Sequence, residues 1–412
     1  MSTPPQGLAP PEGGQAPPPT SQDSFAALVE ATRSRRHEAQ RLLEHCNWMA
    51  FPIMLFVGTR VALLGFSKLS LMLVPTLNWE FGSREYLRHY PSLDGLCRWD
   101  CWHFATIASQ GYTEARWTNF FPLYPLLSRF VSIVTRADIN LALLIVSNMA
   151  SLGAFLLIYR VFLLLAEFDV ARISLMLFAA YPFAFFQATG YPESLMLLFS
   201  ALAILLALQG HHIWAGVALG FGVLARHITM IAGASLLAAQ VRERGIHPKR
   251  LLFHPAILGL AIPWLFFGAY CFYQYRVFGT PFAFSAARDQ PPWSELAWWG
   301  IDDLLATESR IDHVQAMYSY LPFALITTIG SLALLAKRQW HVVAAFAVIF
   351  MLVMWSIGMW GLGRYTASCW PAFLPLGAWL AKRPAWQGPA IAGLALFQGL
   401  FFYLFIHMYA IL

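Results

Sequence analysis

Long apolar stretches dominate the sequence, and their apolar positions are contiguous. Runs such as 141–159, 256–273 and 390–412 approach or reach the roughly 20 residues that an α-helix needs to cross about 30 Å of hydrocarbon. Strands of a membrane barrel would instead show about ten residues of alternating apolar and polar character. The pattern therefore predicts an all-α polytopic membrane protein.

The apolar segments predict about nine full crossings and one broken one, within a range of about 9–11 transmembrane helices. The predicted spans lie near 48–75, 139–166, 171–188, 191–209, 252–278, 313–336, 341–360, 364–381 and 388–411. A loop over 76–137 follows the first span and is far longer than a connection needs. Long loops are usually functional or disordered, so this loop is a candidate site.

Basic residues predict the orientation, because short cytoplasmic loops carry an excess of Lys and Arg. The basic stretch 33–36 precedes the first span, which places the amino terminus inside and the loop outside. A single crossing by 213–240 would put the basic segment 242–250 outside, against this rule. A hairpin of two half-length helices turning near Arg226 keeps 242–250 inside, with the carboxyl terminus outside.

Two regions are expected. Residues 1–46 are predicted to form a disordered, Pro-rich cytoplasmic tail and a basic juxtamembrane segment, since residues 1–22 cannot bury enough apolar surface to fold. This tail does not have the order of a cleavable signal, in which a basic start leads directly into an apolar core. Residues 47–412 are predicted to form the transmembrane domain, including the outer loop 76–137.

Composition supports the membrane class and excludes others. With 58% hydrophobic and 12% charged residues, the chain lies outside the range of soluble domains. The formal net charge is +6, but the cations are scattered over loops, so no nucleic-acid partner is expected. Cys97 and Cys101 are four residues apart; if that stretch is helical, the spacing suits a disulfide poorly, and two packing residues are favoured.

The outer loop contains an aromatic-rich run, 98–108, that suggests a short helix lying along the membrane interface. Asp100 would be held at the surface, where a lipid-borne substrate can meet a hydroxyl group. A carboxylate within hydrogen-bond reach of that hydroxyl can take its proton as general base. The alternative is that Asp100 caps the helix, and the sequence alone gives both interpretations equal weight.

The loop residues closely resemble the first luminal loop of the PIG-V family, the GPI second mannosyltransferases. The resemblance rests on Arg98-Trp99-Asp100, His103-Phe104, Ile107-Ala108, Gly111-Tyr112, Glu114 and Phe120-Phe121-Pro122-Leu123-Tyr124-Pro125, with shorter similarities at 191–195, 224–226, 279–284 and 363–365. It implies a GT-C membrane glycosyltransferase whose donor is a polyprenyl-phosphate sugar, typically mannose, and whose active site faces away from the cytoplasm. A bacterial PIG-V-like member in the inner membrane is favoured; a eukaryotic member would lie in the endoplasmic reticulum.

The resemblance also implies residue roles. Asp100 corresponds to the acidic residue that serves as base, and the anomeric carbon would be inverted. The departing phosphate needs positive charge, for which Arg364 beside Tyr365 is the first choice and Arg98 the second, although Arg364 could instead snorkel to headgroups. Candidates for binding or orienting the substrates are Trp99, His103, Glu114 and Glu193, the last also a candidate for a structural role. Arg226 is expected to stay away from the outer site.

The expected partners are a polyprenyl-phosphate sugar donor, a lipid or glycan hydroxyl acceptor, the membrane and, in some members of the family, a small partner subunit. No Asp-x-Asp pair of the kind that holds a metal-bound nucleotide sugar stands in a soluble domain, so a nucleotide-sugar donor is not expected. Neither a metal nor a cofactor is implied. Two alternatives are a transporter or flippase of lipid-linked saccharides and a non-catalytic membrane scaffold. A transporter should carry essential charges near the bilayer midplane.

Overall fold

A computed structural model describes residues 48–75, 87, 90, 92–286, 311–357, 361–409 and 411, with the backbone alone over 311–318. The predicted tail 1–46 and residues 76–86 of the outer loop lie outside the described residues. From Met49 onward the chain forms one compact unit. The described residues contain helices and turns without a β-strand, which confirms the predicted all-α membrane class.

We number the α-helices in chain order. They are α1 Ala50–Leu73, α2 Cys101–Gln110, α3 Leu123–Thr135, α4 Ile139–Leu165, α5 Phe168–Ala180, α6 Glu193–Leu208, α7 His212–Ala225, α8 Gly233–Arg244, α9 Pro248–Leu252, α10 Leu258–Phe278, α11 Ala283–Ala286, α12 Ile311–Ala333, α13 His341–Ile357, α14 Leu362–Thr366, α15 Phe373–Ala381 and α16 Pro384–Ile406.

Six helices in the described residues are long and apolar enough to cross a membrane. They are Ala50–Leu73, Ile139–Leu165, Pro255–Phe278, Ser319–Ala336, Arg338–Ile357 and Pro384–Ile406. Three other predicted spans are shorter or interrupted: α5 has 13 residues, α6 has 16, and the span predicted over 364–381 is divided into α14 and α15. A helix of 13 residues measures about 20 Å, less than the roughly 30 Å of hydrocarbon.

The segment 181–192 is mostly non-helical and entirely buried between α5 and α6. Irregular backbone at membrane depth is tolerated only where protein or a water-filled cavity surrounds it, because lipid cannot satisfy its polar groups. Arg60 of α1 contributes here: its Nη2 donates to the Gln187 carbonyl at 3.1 Å and its Nε donates to Asn148 Oδ1 at 2.8 Å. Arg60 thus fastens this segment to α1 and α4.

Helices α7 and α8 form the predicted hairpin. Nε2 of His212, at the start of α7, lies 2.8 Å from Oε2 of Glu243, at the end of α8, so the ends of the pair opposite the turn meet. The turn between them runs through Arg226 and the 3₁₀ segment His227–Ala232. The chain therefore returns to the end from which it entered, as the distribution of basic residues predicts.

Helix α7 packs closely on α10 through two glycines. A Cβ atom on Gly216 would collide with the backbone of Gly259, and one on Gly259 would collide with the carbonyl of His212. Small residues let membrane helices approach in this way. The hairpin is therefore fixed against α10, and with it the position of its tip.

Candidate active site

Four separate parts of the chain meet in one place, and each brings a charged side chain from the end of a helix or from a short helix. Asp100 directly precedes α2, Glu193 begins α6, Arg226 follows α7, and Arg364 lies in the short helix α14. Helix ends suit charges because their unpaired backbone groups and the change of chain direction leave room for polar side chains. We call Asp100, Glu193, Arg226 and Arg364 the charged cluster.

The charged cluster is a chain of alternating signs. Arg364 Nη1 donates to Asp100 Oδ2 at 2.9 Å. Arg364 Nε lies 3.2 Å from Glu193 Oε1, and Arg226 Nη1 pairs with that same oxygen. Arg226 Nη2 donates to the hydroxyl of Tyr365 at 3.2 Å, and the guanidinium lies 5.0 Å from the centre of that ring. Two carboxylates thus balance two guanidiniums.

Exposure differs across the cluster and defines an open side. The side chain of Glu193 is 2% exposed, whereas those of Arg364, Arg226 and Asp100 are 11%, 16% and 25% exposed. Glu193 therefore lies beneath the other three. A molecule that approaches the cluster meets the Asp100 carboxylate first and the edges of the two guanidiniums beside it.

Asp100 is positioned by its backbone and leaves its carboxylate for other contacts. Its N–H donates to the Tyr191 hydroxyl at 3.1 Å, and that hydroxyl donates to the Arg98 carbonyl at 3.1 Å. Asp100 occupies the N-cap position of α2, but its side chain makes no capping hydrogen bond. The carboxylate binds Arg364 instead, so the capping interpretation is wrong.

The chain just before α2 is sharply bent. Trp99 has a φ of 53°, a left-handed conformation that costs a residue other than glycine about 1–2 kcal/mol. Such strain persists only where the surroundings enforce it, and it is common at functional sites. The bend turns Asp100 away from the direction that a continuous helix through 98–108 would give it.

A disulfide joins Cys97 to Cys101 across this bend. The expectation of two packing residues is wrong, because it assumed one continuous helix whereas α2 begins only at Cys101. The bend brings the two Cα atoms to 5.3 Å, within the range that disulfides need. The disulfide packs against Gly190, where a Cβ atom would collide with Cys101 Sγ.

Arg98 is not brought into the charged cluster. Its side chain is buried, with Nη2 donating to Asp94 Oδ2 at 2.6 Å and Nε donating to the Ile406 carbonyl at 3.2 Å. These contacts tie the outer loop to the end of α16. The guanidinium predicted as second choice for a phosphate is therefore committed to anchoring.

His103 and Glu114 have different surroundings. His103 stacks on Phe120 with ring centres 4.7 Å apart, and Trp102 and Trp117 each lie 4.9 Å away. Burial lowers the pKa of its imidazole below the usual 6.5, although Asp100 opposes the shift and Arg116 adds to it. The Glu114 side chain is 53% exposed and pairs with Arg116, which gives it the character of a surface residue.

Sequence reasoning missed that Arg226 and Glu193 belong to the same cluster. The expectation that Arg226 stays away from the outer site is wrong, because the hairpin tip reaches Glu193 and Tyr365. A usable signal was present: an ionisable residue in an apolar segment usually has a buried partner, and Glu193 and Arg226 are opposite charges in neighbouring apolar segments. Their pairing satisfies both.

The cluster can do two kinds of chemistry. A partly exposed carboxylate can accept a proton from a hydroxyl, and two adjacent guanidiniums can hold an anion. Among the described residues, no group of three or more His, Cys, Asp or Glu side chains could hold a metal ion.

Comparisons with known proteins were made for sequence and for fold. The profile of a family described as Mannosyltransferase (PIG-V) matches residues 53–301. No curated protein is significantly similar to the sequence.

A crystal structure of the Archaeoglobus fulgidus oligosaccharyltransferase, complexed with Zn and sulfate, matches with a TM-score of 0.50 and 14% identity, over 86% of this chain and 53% of that one. The archaeal oligosaccharyltransferase AglB from the same organism, complexed with an inhibitory peptide and a dolichol-phosphate, matches with a TM-score of 0.43 and 14% identity, over 86% and 56%. The chain spans about half the length of these enzymes, and the likeness to the first structure is one of fold.

Proposed function

Because the chain belongs to the PIG-V mannosyltransferase family and is a membrane glycosyltransferase, we propose that it transfers mannose from a polyprenyl-phosphate donor to a hydroxyl group. The acceptor hydroxyl belongs to a lipid or a glycan, and the reaction takes place on the side of the membrane away from the cytoplasm. Multi-pass insertion follows from the six long apolar helices. The amino terminus is then cytoplasmic.

In the proposed reaction Asp100 is the general base. Its carboxylate takes the proton of the acceptor hydroxyl, whose oxygen forms a bond to the anomeric carbon of the donor sugar. The bond from that carbon to the phosphate oxygen breaks, and its electron pair leaves with the polyprenyl phosphate. The anomeric centre is inverted, because the base and the leaving group lie on opposite sides of the sugar.

The leaving phosphate needs positive charge and no proton donor, since it departs as an anion. Arg364 and Tyr365 are the proposed donor-phosphate residues, and both lie at the open side of the charged cluster. Fixed donors aimed at developing charge are usually the largest source of rate enhancement. Trp99 and His103 lie next to Asp100 in the loop and are proposed to orient it or the acceptor.

One observation carries this proposal: the ion pair between Asp100 and Arg364, 2.9 Å apart and 264 residues apart in sequence. The residue that the family motif proposes as base is thus in direct contact with the arginine that its position and charge propose for the phosphate. Glu193 supports the pair from below, because its carboxylate contacts Arg364. The arrangement brings a proton acceptor and a residue able to hold an anion into one site.

The substitution Asp100→Asn tests the proposal. Purified protein in lipid is incubated with radiolabelled polyprenyl-phosphate mannose and a membrane lipid extract, and labelled product is counted. We expect transfer to fall by about 10²–10⁴-fold, because the amide cannot accept the proton. The matched control is Asp138→Asn at the exposed N-cap of α4, where asparagine caps as well as aspartate. Equal transfer by wild type and Asp100→Asn, at equal folding, would refute Asp100 as the base.

A further inference from the structure

Arg226 carries a charge that the proposed reaction has not yet used. It lies at the tip of the hairpin, its side chain is 16% exposed, and it contacts the same Glu193 oxygen as Arg364. A positive charge in an apolar surrounding is costly and usually has a function.

Two guanidiniums that share one carboxylate oxygen are held close together. Their mutual repulsion is offset by Glu193 between them and by Asp100 on the far side of Arg364. Among its described contacts, Arg364 donates one hydrogen bond, from Nη1 to Asp100, while its Nε is buried 3.2 Å from Glu193 Oε1. The exposed 11% of its side chain therefore belongs to the rest of the guanidinium and the stem. An anion on the open side could therefore receive donors from both side chains, which have exposed edges there.

Charge balance during transfer gives the second guanidinium a purpose. The described cluster is neutral when Asp100 is ionised, because two carboxylates meet two guanidiniums. When Asp100 takes the acceptor proton, the cluster gains one positive charge. In the same step the phosphate changes from a diester with one negative charge to a monoester with a second one developing. The cluster becomes positive as the leaving group becomes more negative.

The order of the ion pairs indicates which of the two guanidiniums lies farther from the base and can therefore bind the departing phosphate. Arg364 is bound to Asp100, whereas Arg226 is separated from Asp100 by Arg364 and Glu193. In an inverting displacement the base and the leaving group lie on opposite sides of the sugar ring. Arg226 therefore lies farther along the chain of charges from the base, on the side where the phosphate departs.

We propose that Arg226 and Arg364, held side by side by Glu193, form a two-guanidinium clamp for the phosphate of a polyprenyl phosphate. This inference rests on the proposed function for the identity of the anion. Arg226 binds the phosphate directly, and Glu193 is a positioning residue. Tyr365, whose hydroxyl accepts from Arg226 Nη2, fixes the orientation of its planar group.

The test is a binding experiment that requires neither acceptor nor transfer. The probe is farnesyl phosphate, and farnesol is its phosphate-free counterpart; the preference is the ratio of their affinities for the protein in detergent. Arg226→Lys keeps a positive charge beside Glu193 but removes the forked donor. We expect its preference for the phosphate to fall about ten- to a hundredfold, as loss of a charge-assisted hydrogen bond predicts. The control Arg116→Lys, at an exposed arginine of the outer loop, should keep the wild-type preference.

A second measurement uses wild-type protein, so it does not depend on folding of a variant. Phenylglyoxal modifies accessible arginines, and mass spectrometry reads the extent at each site. Farnesyl phosphate should protect Arg226 at least severalfold and leave Arg116 unprotected, whereas farnesol should protect neither.

Wild-type preference in Arg226→Lys, an equal loss in Arg116→Lys, or no protection of Arg226 would overturn the clamp. A protein that binds farnesyl phosphate through Arg226 but transfers no sugar would leave the clamp standing and refute the transferase. A transferase without protection at Arg226 would refute the clamp alone.

Discussion

Each charge around Asp100 depends on a neighbour of opposite sign in a place that excludes most water. Removing one partner of a buried ion pair costs about 3–5 kcal/mol, because the other charge is left uncompensated. Glu193 is the most sensitive position, since it is 2% exposed and contacts both guanidiniums. A change at Glu193 therefore affects stability and activity together. A substitution at Asp100, which lies at the open side of the cluster, should change activity with a smaller loss of stability.

His103 gives the outer loop a defined response to acid. Its folded-state pKa lies below 6.5, mainly because it is buried, so the unfolded chain binds this proton more readily. The contribution of His103 to the free energy of unfolding is fully present above pH 6.5 and is lost as the pH falls toward the folded-state pKa. We expect Tm in detergent to fall over that window, because the free energy of unfolding decreases by no more than about 1.4 kcal/mol per pH unit. The Tm of His103→Phe, which keeps the ring contact with Phe120, should fall less over the same pH range.

The control for this prediction is His247→Gln at an exposed position, which should follow wild type. The comparison is between slopes, so a constant offset in Tm does not affect it. Identical slopes in wild type and His103→Phe would contradict the assigned burial effect.

At this scale the sequence predicted individual residues better than their partners. Asp100 was selected from a family motif, Arg364 and Tyr365 from their position at the end of a predicted span, and the structure brings Asp100 and Arg364 into contact. The pairing of Glu193 with Arg226 was not predicted, since it depends on where a hairpin tip ends in space. The disulfide and the left-handed Trp99 depend on backbone angles that residue spacing does not determine.

Among the elements, the long apolar helices were predicted to within a few residues, while α5 was not. The apolar pattern continues from α5 through 181–188, so the predicted span over 171–188 included residues that are buried but not helical. Hydropathy reports burial in an apolar surrounding and cannot distinguish a helix from a loop enclosed by protein. The contact that fastens this loop comes from Arg60, a charged residue within the apolar sequence of α1.

Two glycines of the hairpin allow a matched test of its packing. In Gly216→Ala the new methyl group meets the backbone of Gly259, and we expect a loss of about 1–3 kcal/mol from overpacking. In Gly233→Ala the nearest atom is Leu219 Cδ2 at 3.7 Å, so the same substitution should stabilise by up to about 1 kcal/mol through helix propensity. Thermal unfolding in detergent measures both. A Gly216→Ala protein at least as stable as wild type would show that α7 does not depend on close contact with α10.

For the whole molecule, the short helices determine the depth of the charged cluster. Helices α6 and α7 have 16 and 14 residues, or about 24 and 21 Å, against about 30 Å of hydrocarbon. Glu193 and Arg226 lie at those ends of α6 and α7 that meet at the cluster. The cluster is therefore expected several ångströms below the outer boundary of the hydrocarbon. That depth suits a donor whose phosphate stays attached to a chain within the bilayer.

The hairpin makes a topological prediction that labelling can check. Single cysteines are introduced at three exposed positions in a Cys46→Ser background. His211 and Lys249 flank the hairpin on the side opposite its turn, and Thr113 lies in the outer loop. A membrane-impermeant maleimide applied to sealed vesicles should label His211→Cys and Lys249→Cys from one side and Thr113→Cys from the other. Labelling of 211 and 249 from opposite sides would mean that 213–240 crosses the membrane once. The sides of the membrane predicted for all loops from 249 onward would then be reversed.

The geometry around Asp100 includes the disulfide between Cys97 and Cys101, which can form only in some compartments. Disulfides form and persist in oxidising compartments, whereas cytosolic thiols are kept reduced. In the proposed orientation, a newly synthesised chain would therefore reach its final arrangement around Asp100 only after the loop has crossed the membrane and been oxidised. Insertion would then act as a maturation step for the proposed transferase.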